Sequence, residues 1–257
     1  MKSPSEKSRS DVPALDRGLD VLEQMAISAD ALSLTQIARA SGRTVSEVQR
    51  TVARLTRRAY LVRDAQGHYR LSTKLFRLAT THPPFRDLVA RSMPAMHGFT
   101  DATSESVHLG VLSDDLLLLV AQVEGHGIVR LSLRIGATQD PLATVSGRIL
   151  LAGLGPEEFT AFAERRELAA RERAQLLEEC RVVRERGYES APSGRVQGVH
   201  DIGVPVILPD GRVIAALTTS YLLPRSENAA PQTHLEPLRE AARTIARAYE
   251  PSRSSSR

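Results

Sequence analysis

At 257 residues the chain exceeds what one hydrophobic core usually serves, so two domains are expected. Apolar residues make up 42% and charged residues 25%, the balance of an ordinary soluble globular protein; the lone Cys180 excludes an internal disulfide. No run of roughly 18 apolar residues would span a bilayer, and MKSPSEKSRS carries no apolar h-region, so a cytoplasmic protein without membrane contact is expected. No Cys/His spacing resembles a zinc site, so neither metal nor other cofactor is expected. With no tryptophan, five phenylalanines and five tyrosines, the cores must be aliphatic, and aromatic stacking on nucleic acid is not the expected mode of binding. Net charge is +4, but residues 1–80 carry fourteen Lys/Arg against eight Asp/Glu, whereas residues 81–257 carry twenty against twenty-two. The basic excess is confined to the N-terminal third, as expected if that part alone meets a polyanion.

Residues 1–11 are polar and read as a disordered tail, as do 251–257. A first helix is expected near Val12–Ile27, with Leu15, Leu19, Leu22 and Ala26 at helical spacing. Ser33 and Gln36 then form a capping-box pattern that opens a short second helix with Leu34, Ile37 and Ala38 inward. That helix closes at Ala40-Ser41-Gly42. A third helix follows from about Thr44, its buried face Val45, Val48, Val52 and Leu55 and its opposite face Ser46, Glu47, Gln49, Arg50, Ala53 and Arg54. Short helix, glycine turn and a helix with one hydrogen-bonding face make a helix-turn-helix. Tyr60-Leu61-Val62 and His68–Leu71 add a hairpin around Arg63–Gly67, the wing. A core helix with a solvated charged face is the alternative; the basic excess, the turn and the hairpin together favour DNA.

Ser72–Ser104 reads as mainly helical, broken at His82-Pro83-Pro84, and residues 74–95 are the expected linker. Strands follow at Val107–Leu112, Leu116–Val123 and Ile128–Leu133. Helices are expected over Ser146–Leu154 and within Pro156–Arg186, ending at Gly187. Strands Ile202–Leu208 and Arg212–Ser220 bracket the turn Pro209-Asp210-Gly211, and a last helix covers about Gln232–Tyr249. The second domain is therefore α+β over 96–250, joined to a winged helix-turn-helix over 12–73.

Ala14–Leu22, Leu34–Ala38, Ser46–Leu55 and Tyr69-Arg70-Leu71, in that order, resemble an IclR-type transcription regulator. The likeness continues through Gly136, Pro141, Ala143–Ala152, Arg186-Gly187-Tyr188, Gly198–Val206 and Ala215–Ser220. It implies a GAF-like antiparallel sheet that holds a small-molecule effector against Val145 and Ser146 and against the strands carrying Asp201, Thr218 and Ser220. Arg148 stands where the family usually has lysine.

From the residues themselves, Thr218 and Ser220 lie two apart and share one face of a strand. Ser146, as a free hydroxyl near a helix N-terminus, would suit a carboxylate or another oxygen-rich group. Asp201 would repel an anion unless protonated, paired with Arg134 or Arg148, or turned away. The alternative is that these hydroxyls satisfy backbone groups and Asp201 caps a turn.

Catalysis lacks its motifs: Thr144-Val145-Ser146-Gly147-Arg148 misses the first glycine of a nucleophile elbow, and no HExxH, Walker loop or GxGxxG occurs. His108, His126, His200 and Asp201 are weighed as metal ligands and set aside as too dispersed. The expected function is a ligand-responsive regulator, a repressor before an activator, bound to an inverted repeat in double-stranded DNA as a homodimer or tetramer. Ser46, Gln49 and Arg50 are expected to read bases, and Arg54, Arg57 and Lys74 to grip phosphates. A ligand-free architectural protein, or an enzyme fused to a winged helix, is the alternative.

Overall fold

The computed structural model describes residues 12–81, 83–127, 130–194, 196–222 and 231–249; both expected tails lie outside them. The chain divides into two compact units, Met1–Arg86 and Asp87–Arg257.

The first unit holds α1 (Pro13–Ile27), α2 (Leu34–Ala40), α3 (Val45–Arg57), β1 (Leu61–Arg63), β2 (Tyr69–Leu71) and α4 (Lys74–Thr81). Its core is Val21, Met25, Ile37, Ala38, Val48, Val52, Leu61 and Tyr69. The capping box at α2 is present: Ser33 N–H donates to Gln36 Oε1 at 2.8 Å, and Gln36 N–H to Ser33 Oγ at 3.3 Å. Gly42 makes the turn into α3 with φ 63°, a conformation costly for other residues. β1 and β2 pair antiparallel, and Leu32 exchanges two 2.8 Å backbone bonds with Tyr69, which ties the hairpin to the helices.

Two expectations about buried faces are corrected here. Leu15 and Leu19 of α1 are exposed, while Val21 and Met25 enter the core; Val45 of α3 is exposed as well. In α1 apolar residues occupy more than one stripe, and only the stripe facing α2 and α3 is covered.

α4 stops at Thr81, His82 lies outside the described residues, and α5 (Pro83–Thr103) follows. Its two leading prolines occupy first-turn positions, where the missing amide N–H has no intrahelical partner to lose.

The second unit contains β3 (Val107–Ser113), β4 (Leu116–Val123), β5 (Thr138–Gln139), α6 (Val145–Ala152), α7 (Pro156–Arg165), α8 (Ala170–Arg186), β6 (Glu189–Pro192), β7 (Val199–Ile207), β8 (Val213–Leu222) and α9 (Leu235–Arg247). The sheet order is β5-β4-β3-β8-β7-β6, with every pairing antiparallel. α6, α7 and α8 build a core on one face with Ile149, Leu151, Phe162, Leu176, Cys180 and Ala216, while α9 packs on β7. Gly187 caps α8 in the left-handed region.

The strand expected over Ile128–Leu133 is not formed by its described part. Leu133 N–H donates instead to Gln122 Oε1 at 2.7 Å, and Gln122 Nε2 to Ser132 Oγ at 2.8 Å, so a side chain takes the place of ladder partners. The short β5 pairs with β4 in its stead.

Candidate functional site

α3 begins with a second capping box. Glu47 N–H donates to Thr44 Oγ1 at 3.4 Å, and the Thr44 N–H and hydroxyl donate to Glu47 Oε2 at 2.9 and 2.6 Å. These Thr44 bonds, aided by the nearby Arg43 and Arg17, hold the Glu47 carboxyl below the usual range. Glu47 thus anchors the start of α3. Arg43 reaches back to Asp20 at 2.6 Å and ties the turn to α1.

With Val48 and Val52 buried, Ser46, Gln49, Arg50, Ala53, Arg54 and Arg57 are exposed. The side chains of Gln49, Arg50, Arg54 and Arg57 make no hydrogen bond or ion pair among the described residues. The helix divides them: Arg50 and Arg54 border a groove with Leu15, Leu19 and Leu22 of α1, and Ser46, Gln49 and Arg57 lie outside it. Lys74 is less free than the sequence suggests, since its Nζ donates to the Arg58 carbonyl at 2.7 Å and sits 4.3 Å from the Tyr60 ring centre. On the wing, Arg70 is exposed, and Arg63 donates to the Gly67 carbonyl at 3.4 Å.

In the second unit all five expected effector contacts, Val145, Ser146, Asp201, Thr218 and Ser220, line one cavity of about 50 Å³. Strand register explains why. His108 of β3 faces Thr218 of β8, Gly203 of β7 faces Thr218 from the other side, and Asp201 faces Ser220 two rungs along. α6 closes the cavity from above, and two glycines permit its approach. A Cβ on Gly147 would lie 2.1 Å from the Pro141 carbonyl oxygen, and one on Gly203 would lie 2.6 Å from Thr218 Oγ1 and 2.8 Å from Ile149 Cδ1.

The sequence reading of Ser146 as a free hydroxyl is corrected: the hydroxyl is buried and shared. Its Oγ lies 2.8 Å from Thr218 Oγ1 and 3.3 Å from His108 Nε2. The cap of α6 is Thr144, whose Oγ1 accepts from Gly147 N–H at 3.1 Å. Burial pushes the His108 imidazole down to about 4, so it is neutral at neutral pH. Ser220 Oγ donates to Asp201 Oδ1 at 2.5 Å. Arg148 faces Glu189 at 3.8 Å, and Arg134 is exposed, so Asp201 takes its hydrogen bond from a hydroxyl rather than from either arginine.

His108 and Gln139 are lining residues that were not assigned to the pocket from sequence. The pairing of β3 with β8 joins distant segments, and no local pattern announces it. The histidines weighed as metal ligands are held apart: His126 sits 3.2 Å from Asp101, and His200 lies 2.9 Å from Ser190 Oγ. Among the described residues no three metal-ligating side chains converge. Cys180 is buried under α6, its thiol pushed up to about 11 by burial.

Residues 14–65 match the IclR helix-turn-helix domain, and residues 85–247 match the bacterial transcriptional regulator IclR C-terminal domain. The HTH-type transcriptional regulator XynR of Escherichia coli is 28% identical over 246 residues, 92% of this chain and 97% of that protein. The regulator BhcR of Paracoccus denitrificans is 27% identical over 241 residues, 91% of this chain and 86% of that one. An IclR homolog of Microbacterium hydrocarbonoxydans, solved in complex with 4-hydroxybenzoate, superposes with a TM-score of 0.77 at 26% identity, covering 91% of this chain and 98% of that one. These relatives are regulators of transcription and not enzymes, and no helix among the described residues is long and apolar enough to cross a membrane. With a DNA-binding helix-turn-helix followed by an effector-binding domain, the chain belongs to the IclR family of bacterial transcriptional regulators.

Proposed function

We propose that this chain is a cytoplasmic repressor that grips an inverted-repeat operator as a homodimer. Its grip changes when a small organic acid or hydroxylated compound enters the cavity under α6. The observation that carries this reading is the gathering of Ser146, Asp201, Thr218 and Ser220, with His108, around one cavity in the second unit. The 4-hydroxybenzoate held by the Microbacterium homolog supports a hydroxylated acid. The cavity of about 50 Å³ is smaller than such a ligand, so binding must widen it. In this reading, widening moves α6 against the sheet, and the segment 74–95 between the winged helix (12–73) and the effector domain (96–250) carries the change.

On DNA, Ser46, Gln49 and Arg50 read base edges, while Arg54, Arg57 and the remaining Lys74 N–H groups hold phosphates. Glu47 acts through the cap that orients α3. Dimerisation draws support from exposed Val12, Leu15 and Leu19 of the α1 region and exposed Phe76 and Leu78 of α4, apolar side chains that a second copy would cover.

The test is calorimetry of the full-length protein with a panel of small hydroxy acids, alongside operator binding with and without each acid. Ser220→Ala and Ser146→Ala should weaken the active acid, and Asp201→Asn should strengthen it. Unchanged affinity in all three, with normal melting curves, would place the effector elsewhere. Arg50→Ala and Gln49→Ala should each relax preference at one operator position by about 1–3 kcal/mol; a uniform loss over all sequences would assign readout to other residues.

A further inference from the structure

We propose that His108 supplies the positive charge for an anionic effector, so that each acid bound brings one proton from solvent onto this imidazole. The inference rests on the reading that the cavity under α6 takes the effector, and it deepens that reading by naming how the charge is balanced. The lining explains the need. Among the described residues it contains no lysine or arginine, and it already contains the Asp201 carboxylate. Arg148, the basic side chain of α6, faces Glu189 instead, and Asp140 beside the preceding turn is paired with Arg166. A carboxylate that enters unaccompanied would therefore place a second negative charge in a cavity with no cation among the described residues.

His108 is the basic group positioned to answer. It is buried on β3, facing Thr218 of β8, with Ser146 of α6 on its Nε2 at 3.3 Å. The elements around the cavity present it with Thr218 and Ser220 from β8, Ser146 from α6, Gln139 from β5, Leu117 from β4 and Asp201 from β7. Among the described residues, Asp201 is the one other titratable side chain of that lining. Burial keeps the imidazole neutral in the empty site, where the Asp201 carboxylate is bonded to Ser220 and not to His108. An arriving carboxylate removes that obstacle: the imidazole gains a proton, the ligand keeps its charge, and the pair adds no net charge to the cavity. The proton comes from the buffer, and no bond other than N–H is made.

The sign follows directly. The free site has lost the proton above about pH 4, and the complex retains it, so binding is tightest in mild acid and weakens as pH rises. The expected loss approaches tenfold per pH unit wherever the free site is neutral and the complex protonated. A neutral ligand of the same shape shows no such slope.

The experiment is titration calorimetry of the full chain with glycolate, lactate and 4-hydroxybenzoate, run at one pH in phosphate and in Tris. The difference in heat between buffers counts protons, and a value close to one proton per acid is expected. 4-Hydroxybenzamide, the uncharged counterpart, should take up none. His108→Asn retains a hydrogen-bonding group toward Ser146 but cannot be protonated, so it should lose the uptake and the pH slope, whereas Asp201→Asn should keep both. Acid binding without proton uptake in the parent protein overturns the proposal while leaving the cavity as the effector site. Arg195 follows the lining residue Gly194 and lies outside the described residues; if Arg195→Gln then abolishes that binding, the counter-charge belongs to Arg195. Uptake that survives in His108→Asn and vanishes in Asp201→Asn moves the proton to Asp201 and also overturns it. Failure of all three acids to bind defeats the acid-effector reading and the proposal together.

Discussion

Gly203 illustrates how one missing side chain shapes the effector domain. It lies on β7 beneath α6, where a methyl group would press on Thr218 Oγ1 and Ile149 Cδ1. Thr218 in turn orients Ser146, which reaches His108, so an intrusion here disturbs three polar side chains of the cavity. Gly203→Ala is expected to cost about 1–3 kcal/mol of stability through overpacking and to weaken effector binding, read by denaturant unfolding and calorimetry. Full stability would mean that α6 retreats without penalty. Side chains were legible in the sequence by type more than by state. The shared face of Thr218 and Ser220 follows from strand alternation alone, but the buried bonds of Ser146 depend on a strand far away in the chain. The same holds for Asp201, whose partner proved to be Ser220 across the β7–β8 pair and neither arginine considered for it.

At the scale of elements, α3 depends on its start. Thr44 and Glu47 fix the first turn reciprocally, and the exposed Gln49 and Arg50 project from the turn that follows. Thr44→Ala should lower the stability of the winged helix by about 1 kcal/mol, and operator affinity should fall even where the protein remains folded, because the first turn frays. Melting curves and operator titrations separate the two effects; unchanged values in both would show that Glu47 alone holds the turn. Helices and hairpins were the readable layer of the sequence. Capping boxes, turn glycines and alternating strands are local signals, and α2, the wing, α8 and the β7–β8 hairpin follow them. Where a segment has apolar residues on several faces, periodicity locates a helix without saying which stripe is covered. That is why Leu15 and Leu19 looked internal and are not. Residues 130–133 look strand-forming, yet the Gln122 side chain meets their polar groups before a neighbouring strand does.

For the molecule as a whole, the proposed function makes the segment 74–95, which includes the end of α4 and the start of α5, the carrier of the effector's signal. The two prolines at the start of α5 fix their own φ and restrict the local backbone. Replacing Pro83 and Pro84 with alanine should leave effector affinity unaltered and reduce the effector's influence on operator binding, because a freer join transmits less. Calorimetry and operator titrations on the full chain measure the two quantities, and an undiminished influence would make the join a passive spacer.

The six-stranded sheet ends on a two-residue strand, β5, at one rim and on β6, which carries Pro192, at the other. A rim that short, or one that lacks an amide donor, makes a poor template for another backbone. Crowded native copies are therefore discouraged from zippering edge to edge into a continuous ribbon, the route by which exposed sheets seed fibres. Association is left to side-chain surfaces, which can form closed, countable assemblies and can be reversed by dilution.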